Sequence, residues 1–179
     1  MIALEEKVVY PGHGVARVNR IIEKKIGDKV AHFFELVFLH KDMMILVPVD
    51  NIEVVGLRKL SSEQSIDEIF AILSAPNDST PIHLTVPSSW NKRSKKYQFK
   101  IKTGDIIEIS KIYRDLIHIS QHKELSFGER NLLMQTELLL AEEISLVKNK
   151  VEEQAVELLR GAFNWAKRSP LFRVTESQL

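Results

Sequence analysis

Apolar residues recur along this chain at two different spacings, and the change from one to the other falls near Leu60. Before it, Val15, Ala16, Val18, Ile21 and Ile22, then Val30, Phe33, Phe34, Leu36, Val37 and Phe38, then Ile45, Leu46 and Val47 form short runs. They are punctuated by Pro11-Gly12, Gly14, Gly27-Asp28 and Lys41-Asp42. Runs rich in β-branched and aromatic residues between turn residues predict strands, and Ile26-Gly27-Asp28-Lys29 and His40-Lys41-Asp42 are hairpin-sized connections. About five strands in about fifty residues cannot bury both faces of a flat sheet, so residues 1–60 are expected to form a small, strongly bent β-barrel.

Beyond Leu60 the spacing is helical. Ser61-x-x-Gln64 resembles a capping box, and Ile66, Ile69, Phe70 and Leu73 follow at three- and four-residue intervals up to Pro76. Residues 76–88 are polar with two further prolines and read as a linker. A second helix is expected to start at Ser88 or Ser89 and to end near Thr103-Gly104, where Gly104 suits a left-handed cap. Asp105 to about Ser120 repeats the pattern with Ile106, Ile109, Ile112, Tyr113 and Leu116. Ser126-Phe127-Gly128-Glu129 reads as another capping box, opening a run from Leu132 through Ile144 to Phe163 and Trp165 that ends before Pro170. A run of that length is too long for one globular helix and predicts a break near Lys148 to Lys150. The whole is an α+β chain: a β-barrel, an all-helical bundle over 61–170, and a tail at 171–179 expected to lack fixed structure.

Composition adds limits. The chain has 179 residues, 44% of them hydrophobic, enough to bury a core in each of two small domains. Cysteine is absent, which excludes disulfides, thiolate metal sites and cysteine nucleophiles. The N-terminus is too polar for a signal peptide and no apolar run approaches the roughly 20 residues of a membrane span, so a cytoplasmic protein without membrane attachment is expected; it is taken as a monomer.

Charge is more informative, because it is unevenly spread. Trp90 to Lys102 reads WNKRSKKYQFKIK, with six basic residues and no acidic one, while the remainder holds 19 basic against 24 acidic residues. No carboxylate occurs between Asp78 and Asp105. A concentrated positive field beside an aromatic ring suits a nucleic-acid backbone, since counterion release supplies affinity and the ring an apolar contact. Lys92, Arg93, Lys95 and Lys96 are the candidate phosphate ligands, and without local carboxylates to neutralise them that reading is preferred to a solvated helix face. Trp90 shares a helix face with Tyr97 and Ile101, so periodicity alone leaves it as either a core residue or an exposed contact.

The enzymatic alternatives fail on spacing. His118 and His122 stand at i, i+4, but no glutamate lies between them in H-E-x-x-H style and no third ligand is evident, so the pair is read as a solvated helix face. Tyr10-Pro11-Gly12-His13-Gly14 lacks the G-x-G-x-x-G spacing and a following helix, and its glycines are explained by a tight turn. Neither a catalytic constellation nor a cofactor site is expected.

Residues Val8-Val9-Tyr10-Pro11-Gly12-His13-Gly14-Val15, Val47-Pro48-Val49-Asp50-Asn51 and Val55-Gly56-Leu57-Arg58 resemble the RNA-polymerase-interaction module of the CarD/CdnL family, shared with transcription-repair coupling factor. Trp90-Asn91-Lys92-Arg93, Lys102-Thr103-Gly104, Tyr113-Arg114-Asp115-Leu116 and Leu125-Ser126-Phe127-Gly128-Glu129-Arg130 resemble the second half of the same family. The absence of a Walker motif excludes the coupling factor itself. The resemblance implies a Tudor-like barrel that grips the RNA polymerase β subunit, and a helical domain that meets promoter DNA, without strong sequence preference, at the upstream edge of the melted region. It further implies that Trp90 is a minor-groove wedge favouring the open complex, that Lys92, Arg93, Lys95 and Arg130 contact phosphate, and that Lys24, Leu46 and Pro48 face the polymerase. Some relatives carry arginine at the position of Leu46, so docking here is expected to be more apolar. Met43 to Pro48 also has the soft apolar composition of an exposed partner edge open to strand addition. The competing reading is an independent, non-specific architectural protein of nucleic acid, and a third is an interaction module that leaves DNA alone.

Overall fold

The computed structural model describes residues 2–75 and 90–163. The expected linker at 76–88, the helix start at Ser88 or Ser89, Trp165, the stop before Pro170 and the tail at 171–179 lie outside them. Strands β1 (Lys7–Tyr10), β2 (Gly14–Ile26), β3 (Lys29–Phe38), β4 (Met44–Pro48) and β5 (Arg58–Lys59) form one antiparallel sheet in the order β4-β3-β2-β1-β5. A single turn of 3-10 helix and a short helix α1 (Ile52–Val55) connect β4 to β5. The expected hairpins are present: Ile26 pairs with Lys29 across Gly27-Asp28, and β3 turns into β4 through residues 39–43.

The period of two decides which side chains meet. Ala16 pairs with Phe38, Val18 with Leu36, and Phe34 with Val47, and all six are buried together with Val8 and Leu57 in the barrel core. A bulge between Val18 and Arg20 resets the alternation of β2. Ile52 and Val55 pack against this core, and β4 is an edge strand of the sheet.

The helices are α2 (Glu63–Ser74), α3 (Trp90–Thr103), α4 (Ile106–His122), α5 (Phe127–Val147) and α6 (Glu152–Ala162). The expected break falls between α5 and α6. Asp105 caps α4 by accepting from Ile107 and Glu108 N–H, and Gly104 at φ 72° closes α3. The capping box opening α5 forms as expected, with Ser126 and Glu129 exchanging hydrogen bonds. The one expected at Ser61 is displaced: Ser62 is the N-cap, accepting from Ser65 N–H. Ser61 is diverted because its own N–H donates to Glu143 Oε1 at 2.7 Å.

The two halves are joined by residues that neither pattern singled out. Glu142 and Glu143, consecutive on α5, are both buried and both reach the barrel. Glu142 Oε2 accepts from Val15 N–H at 3.0 Å and lies so close to Gly14 that a Cβ there would stand 1.9 Å from it; Gly14 also sits at φ +105°. Burial pushes the Glu142 carboxyl up from its ordinary value against the pull of Val15 N–H and Lys41. Glu143 takes a two-pronged hydrogen bond from Arg58, at 2.7 and 2.9 Å, while Arg58 Nε donates to Gly104 O at 2.8 Å. Pro11, in the turn between β1 and β2, packs on Gly104, where a Cβ would come within 2.9 Å of it. The Pro-Gly-His-Gly turn is therefore a docking element for the helical half.

Helix α3 is pinned to α4 by Glu108, which pairs with both Lys100 and Lys111. Those two ammonium groups, Lys100 first, pull its carboxyl from the ordinary 4.5 down to about 2. A carboxyl depressed on folding contributes stability that is present above its unfolded pKa and fades as pH falls toward the folded one. Glu108→Gln should therefore lower stability at neutral pH, with the difference from wild type shrinking between pH 4.5 and about 2; denaturant melts across that range check it.

Candidate functional site

Two surfaces carry the residues singled out from the sequence. On the barrel, the outer face of the sheet brings Lys24, Leu46 and Pro48 to one side. Leu46 pairs with Glu35, Pro48 with Phe33, Phe33 with Ile22, and Lys24 follows Ile22 by two residues, so alternation places all of them on the same face. Met44, exposed, continues the row along the edge strand, and Leu46 and Pro48 are half-buried. At the centre lies Glu35, covered by its neighbours and held by Arg20 at 3.0 and 3.1 Å and by Asn19 at 2.6 Å. Arg20 foremost, then Asn19, keeps its carboxyl below the ordinary value, so this face carries a neutralised ion pair inside an apolar rim.

The second surface is the end of the helical half where α3 begins. Helix α3 divides its basic residues by direction: Lys92, Lys95, Lys96 and Lys102 are exposed on the outward side with Phe99, whereas Arg93, Tyr97 and Ile101 turn inward. Among the described residues no carboxylate is paired with Lys92, Lys95 or Lys96. The compensating carboxylates missing from the local sequence are nevertheless supplied to other members of the run by the fold. Lys100 pairs with Glu108, and Arg93 Nη2 donates to Glu129 Oε1 at 2.6 Å. Arg93 thus departs from the expected surface ligand: its side chain is mostly covered.

Trp90 combines its two sequence readings. It is half-buried against the helical core, in the first turn of α3, with the Arg93 guanidinium 5.7 Å from its ring centroid. Its indole lies on Gly128, where a Cβ would approach Cζ2 and Nε1 to 2.9 Å. A side chain at 128 would force the ring to shift, which gives this glycine a reason independent of its backbone angles. Next to it Phe127 is 81% exposed, an unusual position for a large aromatic. The sequence contained a signal for Phe127: it occupies the first position of a capped helix, out of phase with the core stripe that starts at Leu132. Arg130, on the same turn, is half-exposed and only loosely paired with Glu124 at 3.5 Å.

Glu129 organises this end. It is buried, completes the capping box through Ser126 N–H at 3.0 Å, and accepts from Lys123 at 2.9 Å as well as from Arg93. Burial pushes its carboxyl up, but Ser126 N–H, Lys123 and the Ser126 hydroxyl together bring it below the ordinary value. It is ionised at neutral pH.

His118 and His122 stack edge to face with ring centroids 4.6 Å apart, and His122 Nδ1 bonds His118 O at 2.9 Å. His118 is buried whereas His122 is exposed, so the expectation of a solvated pair holds for His122 and is corrected for His118. Among the described residues no group of three or more potential metal ligands occurs, and no helix is long and apolar enough to cross a membrane.

Comparison with known proteins matches the two halves of the chain in order. Residues 3–61 match the family described as CarD-like/TRCF RID domain, and residues 68–160 match the family described as CarD, C-terminal domain. A Bacillus subtilis (strain 168) protein named "Putative transcription factor YdeB" is 24% identical over 154 residues, covering 86% of this chain and 97% of that protein. With a Tudor-like sheet followed by the CarD helical domain, the chain belongs to the CarD family of transcription regulators, which are not enzymes.

Proposed function

We propose that this protein binds the RNA polymerase β subunit through the outer face of its sheet and stabilises the open promoter complex by contacting DNA at the upstream edge of the bubble. The observation that carries the DNA half of this reading is the placement of Trp90 and the exposed Phe127 at one end of the helical half, beside the unneutralised Lys92, Lys95 and Lys96. Aromatic side chains can enter a distorted base step and offset its unstacking, while flanking cations hold phosphates in register without reading sequence. Arg130 adds a cation in the first turn of α5, where backbone N–H groups already favour an anion. The wedge stabilises the open state only as far as it touches that state better than the closed duplex.

The polymerase half rests on the shared face of Lys24, Leu46 and Pro48 and on the open edge of β4. Leu46→Glu should weaken binding to the isolated β lobe about tenfold or more, as expected for a charge placed in the apolar centre of an interface; because Glu35 lies directly across from it, the variant should also melt lower, so binding is compared well below its melt. Titration of the lobe by calorimetry checks it; unchanged affinity would remove Leu46 from the contact.

The test of the whole reading is the lifetime of open complexes formed by cognate polymerase with and without the protein. A longer lifetime with the protein, together with weak and steeply salt-dependent binding to free duplex, supports it. Firm binding to free duplex at physiological salt with no effect on lifetime would instead favour an independent architectural protein.

A further inference from the structure

The six cations of α3 are not one patch. Lys92, Lys95 and Lys96 point to solvent, but Arg93 is committed inward to Glu129, a carboxylate that is itself fixed by Lys123, Ser126 and the first turn of α5. The same guanidinium stands 5.7 Å from the centroid of the Trp90 ring, and that ring also rests on the bare backbone of Gly128. The indole is therefore bounded both by a residue with no side chain and by a cation whose place is set by a buried carboxylate. The Arg93 side chain is mostly covered and its Nη2 is held by Glu129, which leaves it little reach toward a phosphate on the solvent side.

We propose that Arg93, held by Glu129, is a positioning residue for Trp90 and not a phosphate ligand; this rests on the reading of Trp90 as the element that contacts the open complex. The chemistry suits arginine: its planar guanidinium can lie on an aromatic face while its N–H groups are held by a carboxylate, which a lysine ammonium cannot reproduce. Glu129 gains a second duty from the same atoms. It closes the capping box of α5 and, through Arg93, sets the direction in which the indole leaves the surface. The exposed lysines are left to supply the salt-dependent part of DNA affinity.

The experiment is a double-mutant cycle in the full-length protein with polymerase, reading open-complex lifetime for wild type, Arg93→Met, Trp90→Ala and the double variant. Each is paired with the salt dependence of binding to free duplex. Acrylamide quenching of Trp90 fluorescence is read in a Trp165→Phe background. If Arg93 positions the ring, Arg93→Met shortens the lifetime and makes Trp90 easier to quench. It has no further effect once Trp90 is alanine, and it leaves the salt slope unchanged. Arg93→Lys and Glu129→Gln behave in the same direction; should Arg93→Met lower the melting temperature, Arg93→Lys keeps a cation against Glu129 and carries the comparison. If Arg93 contacts phosphate, Arg93→Lys retains the lifetime, Arg93→Met adds to Trp90→Ala, and the salt slope falls by about 0.9. That result overturns the inference and leaves the wedge reading standing. A Trp90→Ala variant with wild-type lifetime would overturn both.

Discussion

Replacing Trp90 by alanine should shorten the lifetime of open complexes about tenfold while leaving the affinity for polymerase unchanged. The size follows from the kind of contact: an aromatic ring stacked on a base is worth about 1–3 kcal/mol on truncation to alanine, and each 1.4 kcal/mol is a factor of ten. The direction follows from where the ring stands. Trp90 sits in the first turn of α3, at the opposite end of that helix from Gly104, which packs on Pro11 of the barrel, so its loss is not expected to reach the proposed polymerase contact. Half of the indole is covered by the helical core, and truncation should also lower the melting temperature by a few degrees. A lifetime measurement at a temperature well below the melt separates the two effects. Equal lifetimes for wild type and variant would reduce Trp90 to a core residue and leave the exposed Phe99 and Phe127 as aromatic candidates.

Arg58→Met should be the most damaging of the substitutions away from the two surfaces. It strands Glu143, whose side chain is 3% exposed and which otherwise receives both prongs of the guanidinium. Breaking a covered pair from one side costs about 3 kcal/mol at the low end of such losses, chosen because Arg58 itself is partly solvated, and corresponds to roughly 6–12 °C in melting temperature for a chain of this size. Adding Glu143→Gln should recover much of that loss, because the remaining charge no longer lacks its partner and the amide oxygen can still accept from Ser61 N–H. Thermal melts of the three proteins decide it. If the double variant is worse than Arg58→Met, Glu143 contributes through contacts other than the arginine.

What the sequence made legible was whatever depends on near neighbours. The two-residue turn at Gly27-Asp28, the cap at Gly104, the Ser126-to-Glu129 box and the break after Val147 are each written within a few residues, and each is found in place. Trp90, Tyr97 and Ile101 share a face as their spacing required. What was not legible depends on partners far along the chain. Ser61 lost its cap role to a glutamate 82 positions away, and Arg93 found its carboxylate 36 positions away. The empty stretch between Asp78 and Asp105 was a true property of the sequence, yet it did not describe the field at Arg93 or Lys100, because α4 and α5 bring Glu108 and Glu129 against them. His118 misled for the same reason: its side chain is covered by the bundle, while His122 one turn on is exposed. A local charge count reads solvent-facing lysines well and inward-turned arginines poorly.

Helix α5 has one further consequence. Near its C-terminal end, consecutive glutamates are fastened to the barrel; in its first turn, Gly128 and Glu129 hold the tryptophan. Fourteen residues separate Gly128 from Glu142, a rigid span of about 21 Å at 1.5 Å per residue. On the proposed reading, one end of that span is referenced to polymerase and the other to DNA, so the helix works as a gauge. A displacement of one base along a strand, about 3.4 Å, is more than a packed helix can absorb by stretching. Selection among promoters would then come from where the strands part relative to the enzyme, a choice of location made by a protein with no need to identify a single base.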